Sequence, residues 1–165
     1  MLNQWWQVPP YISARGLTTG PVPYPAGAFE VLFDFQAHQV VLTTSTGVVR
    51  QLPLQPQSAA DFYRAYRTLL RKADIAVKIW AVPVETRDAT PFAHDNDHTN
   101  YNAETAHRFW RILLRAAQIP EEFRGRFTGK FSPVHFFWDS FDLAVTRFSG
   151  RPAPPYPSGI PHLAD

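Results

Sequence analysis

Apolar and polar residues alternate most regularly between residues 29 and 35. There Phe29, Val31, Phe33 and Phe35 are separated by Glu30, Leu32 and Asp34. A period of two puts four apolar side chains on one face of a strand. Ala37-His38 reads as a turn, Gln39 to Thr44 as a returning strand, Ser45-Thr46-Gly47 as a second turn and Val48 to Leu54 as a third strand. Strands joined this closely form a meander and pair antiparallel. Upstream, residues 8–19 read as an extended edge segment, because Pro9 and Pro10 have no N–H to give a ladder. Gly20 to Gly27, carrying Pro21, Pro23 and Pro25, reads as a loop.

The period then lengthens. Phe62, Ala65, Tyr66, Leu69, Leu70 and Ala73 recur at helical spacing, with Arg64, Arg67 and Arg71 on the wet side. Ser58 suits the N-cap, and Asp61 three residues on completes a near capping box. Ile75 to Trp80 alternates again and predicts a strand. Residues 81–101 form a long polar loop, a length that in a compact domain often signals function. Asn102 caps a second helix with the stripe Ala106, Phe109, Trp110, Leu113, Leu114 and Ala117, leaving Arg108, Arg111 and Arg115 outside. Pro120 opens a short third helix at its first turn, with Glu121 and Glu122 favourable to the dipole and an end near Gly129. A last hairpin runs over 131–138 and 141–148, turning at Asp139-Ser140.

The predicted class is therefore α+β: an antiparallel sheet, made of the N-terminal meander plus the C-terminal hairpin, covered by two main helices and one short helix. One domain is expected over residues 1–150, with 151–165 as a Pro-rich extended tail. A chain of 165 residues that is 45% hydrophobic and 18% charged can build a real core and is unlike a disordered one.

Composition narrows the chemistry. No cysteine is present, which excludes disulfides, thiolate metal sites and cysteine nucleophiles. Met1 to Pro10 shows no basic stretch leading into an apolar run, and no apolar stretch reaches transmembrane length, so a cytoplasmic setting with no membrane partner is expected. Arginine outnumbers lysine thirteen to three, while the net charge is only +2. Arginine suits bidentate contacts to phosphate or carboxylate. The same bias accompanies Ala- and Pro-rich coding in a GC-rich genome. Because the sequence shows no concentrated basic patch, nucleic acid is not an expected partner.

The richest segment is Lys130 to Arg151. It gathers Phe131, Phe136, Phe137, Trp138, Phe141 and Phe148 around His135, Asp139, Asp142 and Arg147. Charged groups among aromatic rings cost free energy unless paired. His135 and Asp142 are the candidate catalytic pair, His135 as general acid or base. Arg147 is the candidate clamp for an anion and Trp138 a candidate ligand contact, with His98 and Tyr101 as the rim. Set against this is a cross-strand ion pair with no function. Within His94-Asp95-Asn96-Asp97-His98 the ligand types suit a metal, but the spacing falls in a loop with no third histidine; no metal and no cofactor is expected. Trp5 and Trp6 point to opposite faces of any strand, so one of them could seat a partner. Pro152 to Pro155 could dock in an aromatic groove, although a plain extended end accounts for it as well. Phosphate-binding glycine loops, dinucleotide fingerprints, nucleophile elbows and zincin motifs are all missing.

The blocks NQWWQVPPYISARGLTTGPVPY, FEVLFDF, RFWRIL and FRGRFTGKFSPVHFFWDSFDLAVTRFSGRPAPP resemble, in order, a bacterial family of uncharacterised proteins, DUF5996. The resemblance runs from Asn3 to about Pro155. It implies a bacterial intracellular protein and supplies no activity, cofactor or catalytic residue. It also implies further segments beyond both ends of this chain, and a glycine at position 139, which weakens Asp139 as a catalytic residue. Two functional expectations stand side by side. One is a small-molecule-binding domain for an anionic ligand, with or without catalysis, using the hairpin. The other is a structural or interaction module that oligomerises through surface near Trp5, Trp6 and Trp110. Nucleic-acid binding through the arginine-bearing helix faces is a third.

Overall fold

Six strands form the main sheet of the computed structural model, which describes residues 9–83, 88–138 and 140–152. In chain order these are β1 (Tyr11–Ile12), β2 (Gly16–Thr18), β3 (Val22–Tyr24), β4 (Gly27–Asp34), β5 (Gln39–Thr44) and β6 (Val49–Pro53). The order across the sheet is β1-β2-β4-β5-β6, with β3 on the other half of the β4 edge that β2 occupies. All pairings are antiparallel, and the meander register aligns Val31 with Leu42 and Phe33 with Val40. The alternation read from the sequence is thus the buried face. β3 lies inside the segment expected to be a loop. Its Pro23 is tolerated because β3 pairs on one side only, with the short β4 stretch 27–29. Gly16 is required where β2 meets β4, since a Cβ there would overlap the Phe33 carbonyl.

Helix α1 (Ala59–Arg71) begins at Ser58, whose hydroxyl accepts from the Asp61 amide. Its apolar face closes one core with Val31, Val40, Leu42, Leu69, Leu70, Ala73 and Ile75. The expected strand at 75–80 does not form. Ile75 and Ile79 are drawn inward but Val77, expected on the same face, is exposed; no described strand pairs with the segment, and the Val77 carbonyl is taken by Arg67 Nη1 at 2.8 Å. Alternation reports a buried side, and a ladder also needs a neighbour.

Helix α2 (Ala103–Ala116) starts at the Asn102 cap and α3 (Gln118–Gly125) follows almost without a break. Pro120 was expected to open α3. Instead it sits at the third position and accounts for the bend. With no N–H to return to the Ala116 carbonyl, and a ring that crowds it, proline breaks the ladder one turn upstream, at Ala117. The helix ends at Gly125, short of Gly129.

Strands β7 (His135–Phe137) and β8 (Asp142–Ala144) form the C-terminal hairpin as a separate two-stranded sheet. Each strand is three residues long, shorter than the expected 131–138 and 141–148, and an isolated bridge joins Phe131 to Arg147 one residue out of the β7–β8 register. Phe136 joins Leu17 and Leu113 in a second core between hairpin, β2 and α2. The hairpin is tied to the main sheet just before β1, where the Phe136 amide donates to the Pro10 carbonyl at 2.9 Å. The molecule is α+β with helices against one sheet face.

Candidate functional site

The hairpin register decides which polar residues share a face. His135 pairs with Ala144 and Phe137 with Asp142, so His135 and Asp142 are diagonal neighbours on one side, opposite Phe136 and Leu143. His135 is buried. Its Nδ1 donates to the Pro133 carbonyl at 2.8 Å, and its ring meets Phe137 edge-on at 4.7 Å. Asp142 is exposed and accepts from the Ser140 hydroxyl. No hydrogen bond or ion pair between described residues joins His135, Asp142 and Arg147 to one another. Trp138 is half exposed, and Asp139 lies outside the described residues, as do Trp5, Trp6 and residues 153–165.

Arg147 is occupied by α3. Its guanidinium stacks on Phe123 at 3.5 Å from the ring centroid and approaches Phe127 at 5.2 Å, while Nη2 donates to the Phe123 carbonyl. That carbonyl belongs to the last turn of α3, where cations are favoured by the dipole and by unmade backbone bonds. The contact is reciprocated: Arg124 of α3 lies over Phe131 at 5.3 Å, and Lys130 over Phe148 at 5.0 Å. Each such contact stabilises by about 0.5–2 kcal/mol. The Arg/Phe repetition between residues 123 and 148 is therefore a clamp joining α3 to the hairpin. Trp110, an expected interface residue, is 4% exposed and donates from Nε1 to the Ser13 carbonyl at 3.1 Å.

The rim candidates lie elsewhere, against α1. The loop from Asp95 to His98 folds onto the first turn of α1, where the Ala59 amide donates to the His98 carbonyl at 3.0 Å and the Ala60 amide to the Asp95 carbonyl at 2.9 Å. With Ser58 serving Asp61, the helix start has its leading amides satisfied by protein. The Asp95 carboxylate accepts the His98 amide and the His98 ring at 2.8 Å. Those two bonds hold the Asp95 carboxyl below its ordinary value, and Asp95 in turn raises the His98 imidazole. Such a pair orients an imidazole as in acid–base catalysis, but no described nucleophile is hydrogen-bonded to the ring. Tyr101 reaches back to the β4–β5 turn, its hydroxyl 3.0 Å from His38 Nδ1, and burial raises its pKa.

Between these groups lies an open cleft of about 410 Å³. Leu54, Ala59 and Phe62 contribute apolar lining, and Gln55, Gln57, Ser58, His98, Asn100 and Tyr101 the polar groups. Two of the expected ligand contacts, His98 and Tyr101, are thus brought to one cavity, and the structure places His135, Asp142, Arg147 and Trp138 on the separate hairpin.

Sequence reasoning missed the Asp34–Arg15 pair. Asp34 is 2% exposed; it accepts the amides of Gln36 and Ala37, and Arg15 Nε at 2.7 Å. Burial alone would raise this carboxyl, but the Ala37 amide, Arg15 and the Gln36 amide outweigh it and hold the pKa below its ordinary value. The signal was present: an aspartate ending a strand just before a turn is placed to accept amides two and three residues on.

An antiparallel sheet covered on one face by helices, with a cleft where a loop returns to the first helix, defines an α+β domain of unassigned chemistry. The chain belongs to the DUF5996 family, a family of unknown function, whose model matches residues 1–165. No curated protein and no solved structure matches the chain. No described helix is long and apolar enough to cross a membrane, and among the described residues no three His, Asp or Glu side chains gather as a metal site would require.

Proposed function

We propose that this domain binds a small molecule, and that its site is the cleft between the Asp95–Tyr101 loop and the start of α1. The observation that carries the reading is the cavity of about 410 Å³, with an apolar lining and hydrogen-bonding groups from two separate chain segments. That is the usual size and make-up of a ligand site. Its polar groups are side-chain amides, hydroxyls and the His98 ring, whose charge is matched by Asp95 behind it, and they favour an uncharged ligand with hydrogen-bonding groups. The anionic preference expected from Arg147 is not carried over, because that guanidinium is engaged with Phe123. A cytoplasmic setting suits a chain with no cysteine.

The test is a fragment screen followed by amide chemical-shift mapping on the full chain, repeated with Ala59→Trp, which fills the cleft. Bound fragments should shift the amides of Leu54, Phe62 and Tyr101, and those shifts should vanish in the variant while its fold persists. Fragments that map only to the hairpin would return the site to His135 and Asp142. A screen without cleft binders would remove the reading altogether.

A further inference from the structure

We propose that the free edge of β6 is a strand-addition site for an extended segment of another protein, one that carries an apolar and an acidic side chain two residues apart. The Leu54 amide donates to the His38 carbonyl and the Thr44 amide to the Val48 carbonyl. With Val40 opposite Leu52 and Leu42 opposite Arg50, these bonds turn the peptide groups of residues 48, 50, 52 and 54 toward β5. An antiparallel ladder alternates, so Val49, Gln51 and Pro53 turn theirs outward. No described strand lies on that side. Arg50 Nη1 covers the Val49 carbonyl at 2.9 Å, and Pro53 has no N–H to give. Charge and proline are ordinary ways of blunting an edge. They leave Gln51, whose N–H and C=O both lack a partner among the described residues.

That open peptide group lies in a groove. Residues 54–57 join β6 to the Ser58 cap, and at the far end Arg50 Nε donates to the Lys72 carbonyl at 3.3 Å, so α1 runs back along β6. The two elements enclose about 430 Å³, with Gln51 and Leu52 on one wall and Ala65 and Leu69 on the other. The groove shares no lining residue with the Tyr101 cleft. In an added antiparallel strand, the residue opposite Gln51 faces away from α1, and its two neighbours face into the groove, one beside Leu52 and one beside Arg50. Leu52 asks for an apolar side chain. At the other position the charges are uncompensated: Arg50 is bonded only to carbonyls, the Lys72 ammonium has no hydrogen bond or ion pair with a described residue, and no acidic side chain lines the groove. Any anion would answer the charges, but only a polypeptide brings an N–H and a C=O together to Gln51.

The probe is the fluorescein-labelled, amidated peptide Thr-Val-Thr-Val-Thr-Glu-Thr-Glu, whose fifth residue meets Gln51 when the strand adds antiparallel, as every pair in this sheet does. Anisotropy with the full chain should show saturable binding, and at saturation the Gln51 amide should exchange with deuterium about ten-fold or more slowly by NMR. The same peptide N-methylated at its third, fifth and seventh residues keeps every side chain and loses the bonding N–H groups; it should bind about ten-fold or more weakly. A peptide with glutamine for both glutamates, and the Lys72→Gln chain, should each lose about two- to five-fold. Gln51→Pro removes the open donor at an edge position where proline is tolerated, and should abolish binding with the circular dichroism spectrum unchanged. The N-methylated peptide reads the same contact on the unaltered chain, so the test stands even where that variant does not fold. No binding to the wild-type chain, equal binding of the N-methylated peptide, or an unprotected Gln51 amide in the complex would overturn the proposal. So would a Gln51 amide already protected in the free chain: protection lost on dilution would assign the edge to a second copy, and protection at every concentration to another segment of the same chain.

Discussion

Helix α1 runs for 13 residues and α2 for 14, each opened by a capping side chain, Ser58 or Asn102, that accepts an amide three residues on. Each carries three arginines opposite its apolar stripe. Around α1 they are spent: Arg64 on Asp61 at 2.6 Å, Arg67 on the Val77 carbonyl at 2.8 Å and Arg71 on the Thr68 hydroxyl at 3.0 Å. Arg50 of β6 likewise reaches the Lys72 carbonyl at the end of α1. Around α2, Arg108, Arg111 and Arg115 have no such acceptor among the described residues. The surroundings make the difference. α1 lies on the wide sheet with chain returning past both its ends, whereas α2 rests on the edge of that sheet and a two-stranded hairpin. Amphipathic pattern reports which side of a helix is dry; it is silent on what else the wet side meets.

The largest expected effect tests whether the two helices differ in their cores as well. Leu70→Ala, in the well-enclosed cluster under α1, should cost about 3–4 kcal/mol, and Leu113→Ala, in the smaller cluster under α2, about 2–3 kcal/mol. Urea unfolding midpoints give both values, and equal losses would break the comparison.

A smaller effect contrasts the buried acid of the meander with the exposed acid of the hairpin. Asp34→Asn should cost about 1–2 kcal/mol at neutral pH, because Arg15 and two turn amides lose a charged acceptor. Asp142→Asn should stay within about 0.5 kcal/mol. Since the folded-state pKa of Asp34 is depressed, its contribution is fully present above the unfolded value of about 3.9 and fades as pH falls through the folded one. The gap between wild type and Asp34→Asn should therefore close in acid. A gap that stays constant down to the acid transition would assign the effect to packing.

The smallest effect sharpens the contrast in the arginines themselves. Arg67→Gln should lower stability by about 0.5 kcal/mol through its bond to Val77, while Arg111→Gln should change it by less than the error of the measurement. A loss at Arg111 equal to that at Arg67 would mean that α2 too spends its charges on its own fold.

The meander, both main helices and the place of the last hairpin were legible because each is set by local period or caps. What escaped depended on contacts distant in sequence. Ile75 to Trp80 has strand-like alternation but no strand to pair with. Pro23 looked like a loop residue until β4 offered it one side only. Pro120 signalled a helix start, and only the continuity of α2 with α3 turned it into a bend. For the site, His98 and Tyr101 stood out in a long loop and do line a cleft, yet Leu54 and Phe62 beside them read as ordinary apolar positions. In the hairpin the sequence marked Arg147 as unusual, and its cause is the Phe123 ring and carbonyl on α3, more than twenty residues upstream.

The return of the Asp95–His98 loop to Ala59 and Ala60 makes the beginning of one helix depend on chain that leaves the ribosome much later. Until that stretch emerges, two peptide groups at the head of α1 have only solvent as partner, and the first turn is free to fray. A polypeptide ending before Asp95 would carry the whole sheet and still lack a fully formed α1.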